Sequence, residues 1–563
     1  MALRTLYQTL LDSDFARLRV IAHQWHIALV AERRSDAAAE LADALARAES
    51  VERALADLSE DALAALHALL RHAGALPWSI FIRDWGVVRS VGPGRLEREE
   101  LWRTPVSPAE DLWYRGWVQR AFAERETGSV AMAFVPDELR LYLPEPPAII
   151  LPPLVTIAPP VHCELGDDAL AEALVSFWIA VQHAGGHGPA MSPPMLDKVQ
   201  RDFLETLALE QGWVRQHADG SLHLVPEPVL AWLHASVEEQ WSALAQAWID
   251  STRWDDLAHV PTLRPDPVKG WPTAVVAARQ RVLDMVRRCE PEQWYAVADF
   301  VAYMHAHATD FLRPDGDYDA WALRSAESDI PLRGFSAWES IEGALITFLL
   351  TGPCAWLGLV DVGGASPLQP TTAFRLTAMG ASVLGLREAP SLAEPPRMRW
   401  LPDGLLVISA RRRYERFQLS RVAQALSPSA AGLWHYRFTP ASLARAQRQH
   451  ITLPRIFDFL QQATGQAIPT LMRGGLEAAY TGKVIARLER VCLLRVMDDT
   501  VLTLPTIQPL IQDSLAPGVA LIRAADYERV LGMLTRQGVL ADFADENFNI
   551  SVPSRQKLVT CNL

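Results

Sequence analysis

The chain has 563 residues, 50% of them hydrophobic and 21% charged, with a formal net charge of −13. At roughly 150 residues per domain, that length implies about four folded modules rather than one core or a disordered chain. The acidic total excludes a protein coated all over with charge that binds nucleic acid.

The first 70 residues are helical in pattern. LYQTLLDSDFARLRVIAHQW and AAAELADALARAESVERAL place apolar residues three and four apart. Asp12 and Ser13 are candidate caps for the second helix, and Ser59 caps SEDALAALHALLRHAG, which stops at Gly74. LPWSIFIRDWG, DLWYRGWVQRAFA and AMAFVPDELRLYLP then lead from helix into a short hairpin. The Pro-rich run LPEPPAIILPPLVTIAPP reads as an extended connection.

A second group of helices, LAEALVSFWIAVQHAGG and MLDKVQRDFLETLALEQGWV, is followed by QHADGSLHLVPEPVLAWL. That segment reads as strand, turn at Asp219-Gly220, strand and short helix. VEEQWSALAQAWIDSTRWDDL is one more helix. The third group, AVVAARQRVLDMVRRC, EPEQWYAVADFVAYMHAHA and SAWESIEGALITFLLTG, reads as three helices. The spacing starts the second at Glu290-Pro291 and caps the third with Ser336. WLGLVDVGG and TTAFRLT pair as strands before a helix at AMGASVLGL. Helices followed by a two-stranded wing are a winged-helix pattern. The last segment, from MRWLPDGLLVISA to ALIRAADYERVLGMLTRQGVL, alternates strands and helices as an α+β unit.

Charge is unevenly placed. Leu401 to Arg495 holds fourteen Arg or Lys against five Asp or Glu, a local net of +9. Arg411, Arg412, Arg413 and Arg416, interleaved with Tyr414 and Phe417, form the densest cluster. Arg421, Arg445, Arg448 and Arg455 extend it as candidate DNA contacts. Three Arg at a helix start oppose the macrodipole. They call for a polyanion or an acidic partner, unless they sit on a solvated face.

WHYRFTPASLARAQRQHITLPRIFDFLQQATGQAIP, with VCLLRV beyond it, resembles the N-terminal domain of XPB-type DNA helicases. The matching positions are Tyr436, Arg437, Thr439, Pro440, Ser442, Leu443, Phe459, Leu460, Ile468, Pro469, Leu493, Leu494 and Arg495, with LPDGLLVIS as a looser first strand. Upstream, YAVADFVAYMHAHATDFLRPDGDYDAW and SAWESIEGALITFLLTGPCAWLGLVDVG are similar to the winged-helix region of bacterial proteins carrying such a domain. The resemblance implies an accessory, non-motor domain that contacts DNA and neighbouring subunits, and a helicase or repair protein as partner.

Motor chemistry has no sequence support. Of the four lysines, Lys198, Lys269, Lys483 and Lys557, only TGKV at Lys483 has a preceding Gly, and it lacks the rest of a phosphate-binding loop. DGDYD at 315–319 starts like a calcium loop but has Ala320 and Ala326 where Gly and Glu belong. The His23/His26 and His305/His307 pairs lack further ligands. Trp232, Trp241, Trp248, Trp294, Trp338 and Trp356 sit at helical spacing among apolar residues, as core positions do. The five cysteines, Cys163, Cys289, Cys354, Cys492 and Cys561, are scattered and never paired as CxxC, as in a reducing cytoplasm. No stretch of about 18 apolar residues marks a membrane span, and MALRTLYQTLLDSDF does not read as a signal peptide.

The expected fold is mainly α with small β wings. A helical segment (1–58) precedes winged-helix-like modules at 59–145, 161–260 and 272–388. An α+β domain similar to the XPB N-terminal domain (397–545) and a tail (546–563) follow. The expected function is a non-enzymatic, cytoplasmic DNA-binding or helicase-associated protein with no cofactor, metal, membrane or small-molecule partner. A scaffold gripping a helicase or repair protein without touching DNA, and a transcriptional regulator, are the alternatives.

Overall fold

A computed structural model describes residues 4–125, 128–184, 196–265, 275–319, 321, 323–426, 432–483 and 491–540. The expected tail at 546–563, Lys269, Ala320, Lys557 and Cys561 lie outside them. The fold is about 49% helical with small antiparallel sheets, a mixed α and β architecture. It divides into two units. The first is Met1–Met398 with Ile408–Ser420 and Pro428–Trp434; the second is Arg399–Val407, Arg421–Ser427 and His435–Leu563.

Unit 1 opens with α1 (Leu6–Asp12), α2 (Phe15–Gln24), α3 (Arg34–Leu45), α4 (Ala48–Ala56) and α5 (Glu60–Arg71). Leu6, Leu10, Leu18, Ile21, Leu41, Leu45, Leu66 and Leu69 are all buried in one core. Each contributes up to about 1.5–3 kcal/mol, an upper estimate because the unfolded chain also buries surface. Ser59 caps α5 as expected, but α2 is capped by Asp14, whose carboxylate accepts the Arg17 N–H, rather than by Asp12 or Ser13. The chain turns through Gly74, at φ +83°, where a side chain would be strained. It continues as β1 (Ala75–Pro77), α6 (Trp78–Trp85), α7 (Pro93–Glu99), α8 (Pro108–Tyr114) and the hairpin β2 (Gln119–Arg125) and β3 (Gly128–Phe134), ending in the single turn α9 (Asp137–Arg140). The sheet order is β1-β3-β2.

The Pro-rich run is extended and largely exposed up to the short strand β4 (His162–Glu164). Next come α10 (Ala169–Ala184), α11 (Lys198–Glu210), the hairpin β5 (Val214–Gln216) and β6 (Leu222–Leu224), α12 (Pro226–His234), α13 (Val237–Ile249) and β7 (Leu263–Pro265). Gly220, at φ +82°, makes the expected turn. Then follow α14 (Val275–Val286), β8 (Trp294–Ala296), α15 (Val297–His307), β9 (Leu323–Ser325), β10 (Pro331–Leu332), α16 (Ala344–Thr351), α17 (Pro353–Trp356), β11 (Val360–Gly364), β12 (Ala373–Leu376) and α18 (Ala378–Val383). The sheets run β10-β9-β7 and β4-β11-β12-β8.

Two expectations shift here. The helix placed at Glu290-Pro291 begins at Val297, because Trp294 to Ala296 pair with β12 as a strand. The helix placed at Ser336 is three pieces: a 3₁₀ turn at Phe335–Ala337, a π segment at Glu339–Gly343 and then α16. Ser336 makes no cap. The tryptophans are core residues: Trp248 is fully buried, Trp232, Trp241, Trp294 and Trp338 nearly so, and Trp356 packs partly buried.

One element order occurs twice. With α7 set aside in the first segment and β9, β10 and α17 in the second, α5-β1-α6-α8-β2-β3 and α14-β8-α15-α16-β11-β12 both run helix, strand, two helices, two strands, with the first strand paired to the third. The stretch between them forms the two-stranded β5-β6 sheet and lends β4 and β7 to other sheets.

A further sheet runs β13-β14-β16-β15, from β13 (Arg399–Trp400), β14 (Leu406–Ser409), β15 (Gln424–Ala425) and β16 (Leu433–Arg437), with α19 (Arg413–Val422) between β14 and β15; unit 2 holds β13, β15 and part of each of the other three. The dividing line between the units passes through β14, α19 and β16. Next come α20 (Pro440–Arg448), α21 (Leu453–Thr464), α22 (Thr470–Tyr480), β17 (Val491–Arg495), β18 (Ile511–Ala516), β19 (Val519–Arg523) and α23 (Tyr527–Arg536). Thr439 and Ser442 form a reciprocal cap at the start of α20, with Pro440 in its first turn. Leu494, Ile507, Ile522, Val530 and Leu534 make a small core under the β17-β19-β18 sheet.

Candidate nucleic-acid and partner interface

The eight candidate arginines fall into two sets with different surroundings. Arg411, Arg412, Arg413 and Arg416 belong to unit 1. Arg413 donates to the Asp168 carboxylate and, at 2.7 Å, to the Gln240 side chain on α13. Arg411 donates to the other oxygen of Asp168 at 3.0 Å. Arg416 donates to the Ser176 hydroxyl and the Glu172 carbonyl on α10, and lies 4.5 Å from the ring of Trp434. Trp434 in turn donates to the Glu172 carboxylate at 2.6 Å. Arg412 donates to Glu394 at 2.7 Å, to Glu415 at 3.2 Å and to the Pro395 carbonyl.

Arg413 and Arg416 are buried at 1% and 0% exposure, out of reach of a phosphate backbone. The acidic partner that the sequence calls for at this helix start is therefore inside the chain. Asp168 and Glu172 neutralise charge that opposes the α19 dipole. Burial pushes the Arg413 guanidinium below its ordinary value, and Asp168 counters that shift.

Arg421, Arg445, Arg448 and Arg455 belong to unit 2. Arg421 donates to the Gln449 side chain at 3.1 Å, and Arg445 donates to the Ala423 carbonyl at 3.1 Å. These bonds tie the end of α19 to the end of α20. Arg437 pairs with Gln424 across the sheet, beside the same corner. The structure thus groups Arg421, Arg445 and Arg448 where α19 and α20 end, with Arg437 on a strand that pairs just beyond α19 and Arg455 in the first turn of the next helix. Arg437, Arg448 and Arg455 are exposed and have no ion-pair partner among the described residues. Desolvation lowers the Arg445 pKa, and the like charge of Arg448 lowers it further. A nearby polyanion would relieve that repulsion. Sequence reasoning gave Arg437 no role in binding, because only strand pairing places it at this corner.

The third helices of the two repeated orders carry no basic face. On α8, Glu110 and Asp111 are buried; Glu110 accepts from Arg89 at 2.6 Å and from the Val106 N–H at 2.8 Å. α16 is largely apolar, and the π segment before it carries Glu342, buried, and Glu339, exposed.

Lys483 ends a helix rather than opening one. The N–H groups of Gly482 and Lys483 are bonded to the carbonyls of Ala479 and Ala478, so they form no phosphate cradle. At DGDYD, Gly316 sits at φ +65° and the Asp317 carboxylate accepts the Asp319 N–H, a local turn. Among the described residues, no group of three or more His, Cys, Asp or Glu could hold a metal ion, and no helix is long and apolar enough to cross a membrane. No protein-family model and no curated protein matches the chain.

Proposed function

We propose that this chain is a non-enzymatic accessory protein, cytoplasmic, of winged-helix-like modules joined to an XPB-N-terminal-like domain. In this reading the corner of Arg421, Arg437, Arg445 and Arg448, with Arg455, holds nucleic-acid phosphates. Unit 1 serves a helicase or repair partner. The observation that carries the reading is the contrast between the two arginine sets. The densest run is neutralised internally, while in unit 2 Arg437, Arg448 and Arg455 stay exposed and Arg448 stands close enough to the half-buried Arg445 to repel it. Phosphate contacts position a protein on DNA and make affinity depend on salt. A titration of labelled duplex DNA at two salt concentrations tests it. Binding that weakens with salt and with loss of Arg448 and Arg455 supports the reading; salt-independent binding, or none, overturns it.

The scaffold without DNA contact remains the second reading. It is favoured by α8 and α16, since in winged-helix DNA binders the helix in this position enters the major groove. Here one such helix is covered and acidic, and the other has no basic residue and follows a π segment that exposes Glu339. Retention of a helicase after nuclease treatment, with no DNA shift, would select this reading.

A further inference from the structure

We propose that the cleft between α15 and the π–α16 segment is a docking groove for an amphipathic helix of a partner protein, one with Lys or Arg beside its apolar stripe. This deepens the partner-binding half of the proposed function. The cleft holds about 980 Å³. Ala298, Ala302 and His305 line one wall, and Glu339, Ala344 and Thr351 the other. From Glu339 to Thr351 the second wall runs about 18 Å at the rise of a helix, or three turns. That length suits a partner helix presenting anchors at i, i+4 and i+7.

The groove exists because of two local features. The π segment Glu339–Gly343 adds a residue to the turn. It directs Glu342 inward, where Arg313 donates to both carboxylate oxygens at 2.7 and 2.8 Å, and leaves Glu339 exposed in the cleft. At its floor Gly343 allows α15 to come close; a Cβ there would stand 3.2 Å from Val301. Small side chains at Ala298, Ala302 and Ala344 keep the walls low, so an incoming backbone can approach. Trp338 closes one end, its ring 4.5 Å from that of His305 and its N–H bonded to the Thr309 carbonyl.

Charge selects the occupant. The Glu339 carboxylate has no ion-pair or hydrogen-bond partner among the described residues, and no Lys or Arg lines the cleft. A phosphate backbone would be repelled there, whereas a cationic flank on an apolar helix would be held.

The test uses the full chain and two fluorescein-labelled peptides of sixteen residues. Both carry Leu at helical three-and-four spacing; one has flanking Lys and the other Glu. Fluorescence anisotropy should show the Lys peptide binding more tightly than the Glu peptide. Ala302→Trp, at an exposed position, should weaken it at least about tenfold by filling the groove. Glu339→Lys should invert the preference between the peptides, and circular dichroism checks that both variants fold. Equal affinity in Ala302→Trp, an unchanged preference in Glu339→Lys, or no binding by the native chain overturns the proposal. An apolar dye that binds the cleft and is displaced by neither peptide also overturns it, in favour of a small ligand. The DNA titration reads unit 2 and can fail independently of this one.

Discussion

Arg413 and Asp168, 245 residues apart in the chain, form a buried ion pair that fastens the start of α19 to the start of α10. Asp168 also takes Arg411, so one carboxylate answers two guanidinium groups. Asp168→Ala would leave Arg413 charged, buried and unpaired. The expected loss is about 3–5 kcal/mol in urea unfolding, the range for breaking a buried pair from one side. Replacing both partners with apolar residues, Asp168→Leu with Arg413→Met, should cost much less. A loss below about 1 kcal/mol in Asp168→Ala would show that the pair does not hold this segment.

The Arg411–Arg413 triple alanine variant should act in the same way. Its main effect is a lowered unfolding midpoint, with DNA affinity per folded molecule unchanged. Lost affinity at full stability would return these residues to the DNA surface.

Glu110 supplies a pH signature. Burial alone would raise its pKa, but hydrogen bonds from Arg89 and the N–H groups of Val106 and Arg89 more than offset this and hold it below the usual carboxylate range. A lowered folded-state pKa gives stability that is present above the unfolded value, about 4.3, and lost as pH falls through the folded value. Glu110→Gln should therefore be less stable than the native chain at pH 7, with the gap closing below about pH 4.3. A gap that stays constant from pH 7 to pH 3 contradicts the assignment.

The cysteines should separate by reactivity. Burial pushes the Cys289 thiol up to about 12 and raises that of Cys354 as well, which leaves both as inert thiols. Cys163 and Cys492 are half-buried. Iodoacetamide labelling of the folded protein, read by mass spectrometry, should modify those two before Cys289 and Cys354. Labelling of Cys289 or Cys354 at the same rate would mean that unit 1 opens readily.

The helices were legible because three-and-four spacing of Leu and Ala reports a buried face, as at Leu41, Leu45, Leu66 and Leu69. Hairpins were legible where a turn signal stood between strands, as at Asp219-Gly220. The strand at Trp294 was not, since three residues after a proline look like a helical first turn and only pairing with β12 makes them a strand. The π segment has no local pattern; the inward pull of Arg313 on Glu342 accompanies it. The charge excess was legible, but its division was not. Whether an arginine faces water or a carboxylate depends on Asp168 and Glu172, more than two hundred residues away.

The most direct measurement is the salt dependence of duplex DNA binding, native chain against Arg448→Ala with Arg455→Ala. Log affinity should fall linearly with log salt, with a slope shallower by about 2 in the double variant, since each phosphate contact contributes about 0.9. The unfolding midpoint should be unchanged by these exposed substitutions. The same slope in both proteins, or no binding by the native chain, would contradict the DNA-binding reading.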